Sequence, residues 1–371
     1  MGTRFPLGLA LLAAGPAVWA GDPKPAHTLR PPGDVTWVAF TPDSKHLLTG
    51  SDASPKVRGE TTSELRLWSV ETGRLESGPV TATGIGASGA VSPDGKLAVT
   101  GGFGGDWQLW KLPDLTPASG GSAGKGRVDR LAFRPDGKAF AALLIQPLGG
   151  AGQRYTAVTI DVATGKPVRG AAYWPAERPR GQPASARTDG PPAGWPVGHT
   201  PPFDGNGVAD RPEGRAADPL EVPGDDENCG GPMARAISGD GKVAVSSGCN
   251  GQVVVWGYPA RKVIGKPLAA YPRLAVSDPG LSLSADGRRA AVASMTEHGT
   301  KGHLLALTVY DVDARAIVAG PLDLGTLGVG LVGALAFSPD GSVVAIAFDR
   351  RGPSDEKPTT EIQLWRVPGK K

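Results

Sequence analysis

Short apolar runs recur along the chain, each of strand length and each cut off by the same kind of turn. The clearest case spans 332–367: V-G-A-L-A-F, the turn S-P-D-G, S-V-V-A-I-A-F, a polar stretch, then E-I-Q-L-W-R-V. Runs of this length, rich in β-branched and aromatic residues and bounded by Pro, Asp and Gly, predict β-strands. Pro339 presets φ and Gly341 accepts positive φ, so the turn has a conformational cause.

The same three-strand unit aligns five more times upstream. Its inner strand and turn read V-T-W-V-A-F-T-P-D from Val35, G-A-V-S-P-D-G from Gly89, V-D-R-L-A-F-R-P-D-G from Val128, M-A-R-A-I-S-G-D-G from Met233 and L-S-L-S-A-D-G from Leu281. The turn aspartates are Asp43, Asp94, Asp136, Asp240, Asp286 and Asp340, and most neighbours are 42 to 54 positions apart. That period is the one expected of a four-stranded propeller blade. Inner strands alternate small and large residues (Ala39/Phe40, Ala132/Phe133, Ala236/Ile237, Ala336/Phe337). A blade needs this because both its faces pack on neighbours. The period is long for a β-solenoid, and a β-sandwich has no reason to repeat one turn six times.

The units resemble WD40 repeats. The third-strand tryptophan of that family stands here as Trp68, Trp110, Trp256 and Trp365, with Ile160 and Tyr310 at the same place in units three and five. The aspartate that follows it is present as Asp161 and Asp311 and is replaced by Ser69, Lys111, Gly257 and Arg366 elsewhere. The family's Gly-His pair before the inner strand is missing from every unit. The resemblance implies an all-β fold, a β-propeller of four-stranded antiparallel blades, and a non-catalytic protein-binding scaffold as its usual use.

The chain stops on the third strand of unit six, so an outer strand is missing there. An extended piece near Ala26 to Arg30 is expected to supply it, closing the ring by pairing the two terminal regions. One spacing breaks the period. Asp136 and Asp240 are 104 apart, and 175–228 holds 11 Pro and 8 Gly in 54 residues. This segment reads as an irregular insertion on a six-bladed ring or as a decayed seventh blade, of which Gly198-His199 and P-F-D-G from Pro202 are a faint echo.

Composition narrows function. With 55 Gly, 36 Pro and only 20% charged residues, the chain is turn-rich and poor in long helices. The N-terminus has the three parts of a secretory signal: Arg4, an apolar run over 7–14, and Val18-Trp19-Ala20 for cleavage after Ala20. The apolar run is too short to span a bilayer. The expected organisation is therefore a signal peptide at 1–20 and a single propeller domain over 21–371, in the periplasm or secreted, without membrane insertion after cleavage. Loss of Arg4 takes the formal charge from +3 to +2 (3 − 1). With no basic run, a nucleic-acid partner is not expected.

Cys229 and Cys249 flank the first two strands of unit four at the same end, which in an exported protein reads as a disulfide, with two separate thiols as the alternative. Glu297, His298 and His303 lie between strands of unit five, either as a solvated loop or as an acid–base or metal group lacking a third partner. No nucleophile elbow occurs, and the run G-G-F-G-G from Gly101 has no following Lys-Ser/Thr or helix, so it reads as a turn. No cofactor is expected. Asp34, Asp129, Arg130, Arg235 and Asp278 lie near inner-strand starts and are the candidates for a small-ligand or enzymatic site in the central channel.

Loop length carries the functional expectation. From the turn aspartate to the third-strand aromatic or its replacement, units two and four take 16 positions and the other four take 24 or 25. The extra residues fall between second and third strands, at 51–63, 146–154, 296–303 and 349–360. In a meander these connections and those entering each next inner strand share one rim, so the long segments decorate a single face. Lys56, Arg58, Glu60, Arg154, His298, Lys301, His303, Arg350 and Arg351 are the candidate contacts for a protein partner there.

Overall fold

A computed structural model of the chain describes residues 24–52, 62–83, 88–147, 153–168, 234–239, 241–247, 252–258, 260, 262–270, 280–297, 303–327, 332–350 and 359–369. The described residues form six antiparallel blades of a β-propeller. Blade one is β2 (Val35–Phe40), β3 (His46–Asp52), β4 (Thr62–Ser69) and β5 (Leu75–Thr83); blade two is β6 (Ser88–Val91), β7 (Leu97–Gly101), β8 (Asp106–Lys111) and β9 (Thr116–Ser122). Blade three has β10 (Arg127–Phe133), β11 (Ala139–Pro147) and β12 (Gln153–Asp161), and a bridge from Ile160 to Pro167 begins its outer edge. Blade four has β13 (Ala234–Ile237), β14 (Val243–Ser247), β15 (Gln252–Gly257) and an outer strand in two pieces, β16 (Lys262–Val263) and β17 (Ala269–Ala270). Blade five is β18 (Leu281–Leu283), β19 (Arg289–Glu297), β20 (His303–Asp311) and β21 (Ala316–Leu327). Blade six is β22 (Val332–Phe337), β23 (Val343–Arg350), β24 (Thr359–Arg366) and, as its outer strand, β1 (His27–Leu29).

The expected closure is present. β1 pairs antiparallel with β24, setting His27, Thr28 and Leu29 opposite Leu364, Gln363 and Ile362. Leu29 is buried in a core shared with Val35, Phe40, Trp68, Ala345 and Leu364 of blades one and six. Arg30 adds an ion pair to buried Glu361 at 2.9 Å. The inner strands pack side by side in the order β10, β6, β2, β22, β18, β13. The chain between blades three and four, where 175–228 falls, lies outside the described residues, as do 1–23, Cys229 and Cys249.

The recurring turn is a hydrogen-bonded unit. In blade two the Ser92 hydroxyl donates to Asp94 Oδ1 (2.6 Å), the Lys96 amide donates to the same oxygen (3.1 Å), and the Leu97 amide donates to Ser92 Oγ (2.9 Å). The hydroxyl–carboxylate bond repeats at Thr41/Asp43, Ser284/Asp286 and Ser338/Asp340. Gly95 has φ 70°. Blade one departs from the pattern: Ser44 holds φ 60° there, and its Oγ accepts from the Asp340 amide of blade six.

The third-strand aromatic sets a second rule. The indole N–H groups of Trp68, Trp110 and Trp256 donate to hydroxyls on the neighbouring second strand: Thr49 (3.0 Å), Thr100 (2.9 Å) and Ser246 (2.7 Å). Where Ile160 or Tyr310 replaces the tryptophan, the hydroxyl position, two residues beyond the direct partner in the register, is apolar: Ala142 in blade three and Val292 in blade five. In blade six Ile346 takes that place, and Trp365 donates to Gln363 Oε1 (3.1 Å). A buried N–H needs an acceptor, and a buried hydroxyl without a donor to accept is a cost, so the hydroxyl is present where the indole has no other acceptor.

The fourth strands were the least legible. β5 and β21 each bulge at a Gly-Pro, where the register with the third strand shifts. Gly78 and Gly320 sit at φ 94°, and a Cβ on either would come within 2.5 Å of a carbonyl oxygen, of Leu65 or Leu307. Only glycine fits there.

Two outcomes test these rules. Thr100→Val should destabilise the protein by about 1–3 kcal/mol because it strands the Trp110 N–H. In a double-mutant cycle with Trp110→Phe the losses should fall short of additivity by about 1 kcal/mol; strict additivity in urea denaturation would contradict the pairing. The second concerns pH. Hydrogen bonds from the Ser92 hydroxyl and the Lys96 amide, against some desolvation, hold Asp94 below its ordinary 3.8. A depressed folded pKa stabilises the native state above the unfolded value, and that contribution is lost as pH falls through the folded one. Denaturation midpoints should therefore drop below about pH 4, less so in Asp94→Asn.

Candidate functional site

The long segments between second and third strands are not simply loops. β11 and β12 continue their ladder for nine residue pairs, out to Pro147 opposite Gln153, and β19 and β20 for nine, out to Glu297 opposite His303. β23/β24 make eight pairs and β3/β4 seven, whereas β7/β8 and β14/β15 make five. At about 3.3 Å per residue, four added pairs raise a hairpin by about 13 Å. Blades one, three, five and six thus send longer hairpins out on one face, and the S-P-D-G turns lie on the other.

This corrects three positions. Arg154 is in β12 opposite Gln146, His303 in β20 opposite Glu297, and Arg350 in β23 opposite Thr359, so all three are strand residues near hairpin tips rather than loop residues. Extension satisfies backbone N–H and C=O groups that a loop would leave to solvent, and the sequence around these residues offers no Pro or Gly to stop it until the tip. Lys56, Arg58, Glu60, His298, Lys301 and Arg351 lie outside the described residues.

The hairpin bases are braced by polar side chains that the sequence reading did not single out. In blade one, buried Arg66 donates from Nη1 to Ser51 Oγ (3.3 Å) and from Nη2 to Glu64. In blade six the Thr360 hydroxyl donates to Asp349 Oδ1 (2.7 Å), next to the Glu361–Arg30 pair. Polar residues two and four places before the third-strand tryptophan were the available signal: Glu64 and Arg66 in one blade, Glu361 and Gln363 in the other.

The channel candidates are divided. Asp34 is exposed at the start of β2. Asp129 and Arg130 come together on β10, where a register shift lies between Val128 and Arg130; Asp129 pairs with Arg127 and with Arg130 Nε at 3.5 Å. Shifts at the same place in β2 and β22 leave Thr36 and Gly333 as the corresponding residues. A carboxylate held between two guanidinium groups, with Thr and Gly in the matching positions, makes a charge-compensated spot rather than a repeated acid–base set. Arg235 contributes its backbone to β13, and Asp278 lies outside the described residues. Among the described residues, no three His, Cys, Asp or Glu side chains gather as a metal would need.

Glu64→Ala should cost about 3–5 kcal/mol by leaving Arg66 buried without its carboxylate. The double variant Glu64→Leu/Arg66→Met should cost less than that single change. A single-variant loss under about 1 kcal/mol in urea titration would place the pair among exposed ones of no structural consequence.

The family model described as "WD domain, G-beta repeat" matches residues 23–57, which span β1, β2 and β3. That match supports the WD40 assignment of this repeat. No curated protein matches the chain. Among solved structures, the β-propeller domain of Cps50 (Swd1) from Myceliophteria thermophila is similar at 13% identity and a TM-score of 0.45, covering 94% of this chain and 100% of that one.

Proposed function

We propose that the protein is a non-catalytic scaffold acting outside the cytoplasm, and that it holds a protein partner on the face carrying the long hairpins. The observation that carries this reading is the unequal ladder length: nine, nine, eight and seven pairs in four blades against five in the other two. Ring packing needs only the short ladder, since blades two and four manage with it. The surplus therefore serves something other than blade–blade contact, and per-repeat extensions on one face of a repeat protein are commonly its binding surface. The WD40 repeat fold agrees with a protein-interaction role, as analogy from fold. Export rests on Arg4, the apolar run over 7–14 and the cleavage pattern ending at Ala20. In that compartment Cys229 and Cys249 would be oxidised to a disulfide, contributing about 3 kcal/mol.

The test trims the hairpins and leaves the ring. Replacing 146–154 and 296–303 with two-residue turns should abolish cross-linking to a defined partner in the exported fraction while thermal unfolding is unchanged. Retention of the partner by a folded trimmed protein would refute the assignment of this face. N-terminal sequencing of the same sample should begin at Gly21; a retained Met1 in cytoplasmic protein would refute export.

A further inference from the structure

The exposed large apolar side chains of the described propeller lie mostly on its outer edge, at Leu75, Val168, Val263, Ile264 and Ile317, with Phe103 apart on a blade-two loop. Two of them face each other. Ile317 stands opposite Tyr310, which is buried in the core shared by blades four and five, so Ile317 is on the blade-four side of β21. Ile264 packs its Cδ1 3.5 Å from where a Cβ on Gly257 would be, and Lys262 stands opposite Gly257 in the β15/β16 register. Gly257 lies two residues from Val255 and so on the same strand face, that of the blade-four/blade-five core, which puts Lys262 and Ile264 on the side of blade five. Ile264 is 44% exposed and Ile317 38%.

Arg315 joins the two walls. Its Nη2 donates to the Ile264 carbonyl, across the junction from β21 to blade four. Its Nη1 is buried without an acceptor among the described residues. The residue also adopts φ 55° in a turn whose corresponding position is glycine in blades one and three, Gly73 and Gly165, both at φ 66°, and Leu115 at φ 53° in blade two. A non-glycine residue in this region is strained, and a guanidinium with an unfilled buried donor adds to the cost. The turn does not require it, because glycine serves elsewhere. Desolvation lowers the Arg315 pKa, with Asp313 opposing. Exposed Lys262 and Lys266 add positive charge, and Asp313 is the acidic residue that acts on Arg315. Among the described residues the short strand β16 is the outer edge of blade four, and a strand edge is a template for a further strand.

We propose that this groove between the outer edges of blades four and five docks a short extended segment of a protein partner. The segment lays an apolar side chain between Ile264 and Ile317 and offers a carboxylate to Arg315 and Lys262. Arg315, Lys262 and Lys266 against one aspartate select an acidic segment, the paired isoleucines select an apolar neighbour, and the strand edge favours an extended backbone over a compact small molecule. The site is separate from the long-hairpin face and extends the scaffold reading to a second surface.

The test uses the full exported protein and two fluorescein-labelled synthetic peptides, one alternating leucine with aspartate and one alternating leucine with lysine. Fluorescence anisotropy should show binding of the aspartate peptide alone. Ile264→Ser should weaken it at least about tenfold. Arg315→Gly, which restores the glycine of the sister turns, should remove the preference for aspartate over lysine without lowering the unfolding temperature. Equal binding of both peptides, no binding, or wild-type affinity in both variants would overturn the proposal. Partner capture by the long-hairpin face should be intact in these variants, so failure here and failure of the scaffold reading are separate results.

Discussion

Pairing of β1 with β24 is the constraint on which the rest depends. A propeller blade is apolar on both faces, so an open arc would leave two such faces and two strand edges in water. Three residues of β1 end that problem by completing the outer edge of blade six with chain from the other end of the sequence. Leu29 enters the core shared by blades six and one, and Arg30 reaches buried Glu361. The Ser44–Asp340 bond ties the same two blades on the opposite rim. The seam is thus held at its outer edge and at its turn face.

With the ring fixed, the two rims diverge in use. One is nearly constant: the aspartate turn recurs from blade to blade, with Ser44 for glycine in blade one and Arg134 for the hydroxyl in blade three, and four of its carboxylates accept local hydroxyl hydrogen bonds. The other varies, with ladder lengths from five to nine pairs and bases braced by Arg66, Glu64 and Asp349. A surface that varies over a constant frame is where recognition can change without loss of the fold. The outer edge between blades four and five is a third setting, in which Arg315 accepts backbone strain that Gly73 and Gly165 avoid in blades one and three.

Much of the frame was legible in the sequence. The six turns, the small–large inner strands and the need for an N-terminal closing strand could be read because each depends on local residue types in a fixed order. The fourth strands were harder: β16 and β17 are two residues each, and β5 and β21 are interrupted by bulges at Gly78-Pro79 and Gly320-Pro321. Hairpin lengths were underestimated because Arg154, His303 and Arg350 are polar and sit where a ladder continues for want of a breaker. The tryptophan–hydroxyl rule was available from aligned columns, as Thr49, Thr100 and Ser246 against Ala142 and Val292. The bracing by Arg66 and the meeting of Ile264, Ile317 and Arg315 were not, since they join residues whose proximity only the folded ring creates.

Hydrogen exchange followed by mass spectrometry tests the closure most directly, comparing the protein with a variant lacking 24–30. If β1 closes the ring, its removal should cost protection across β24, β23 and the inner strands of blades six and one together, because the seam opens as a unit. Exchange that quickens only at the β24 amides facing β1, with both blades otherwise protected, would contradict the account.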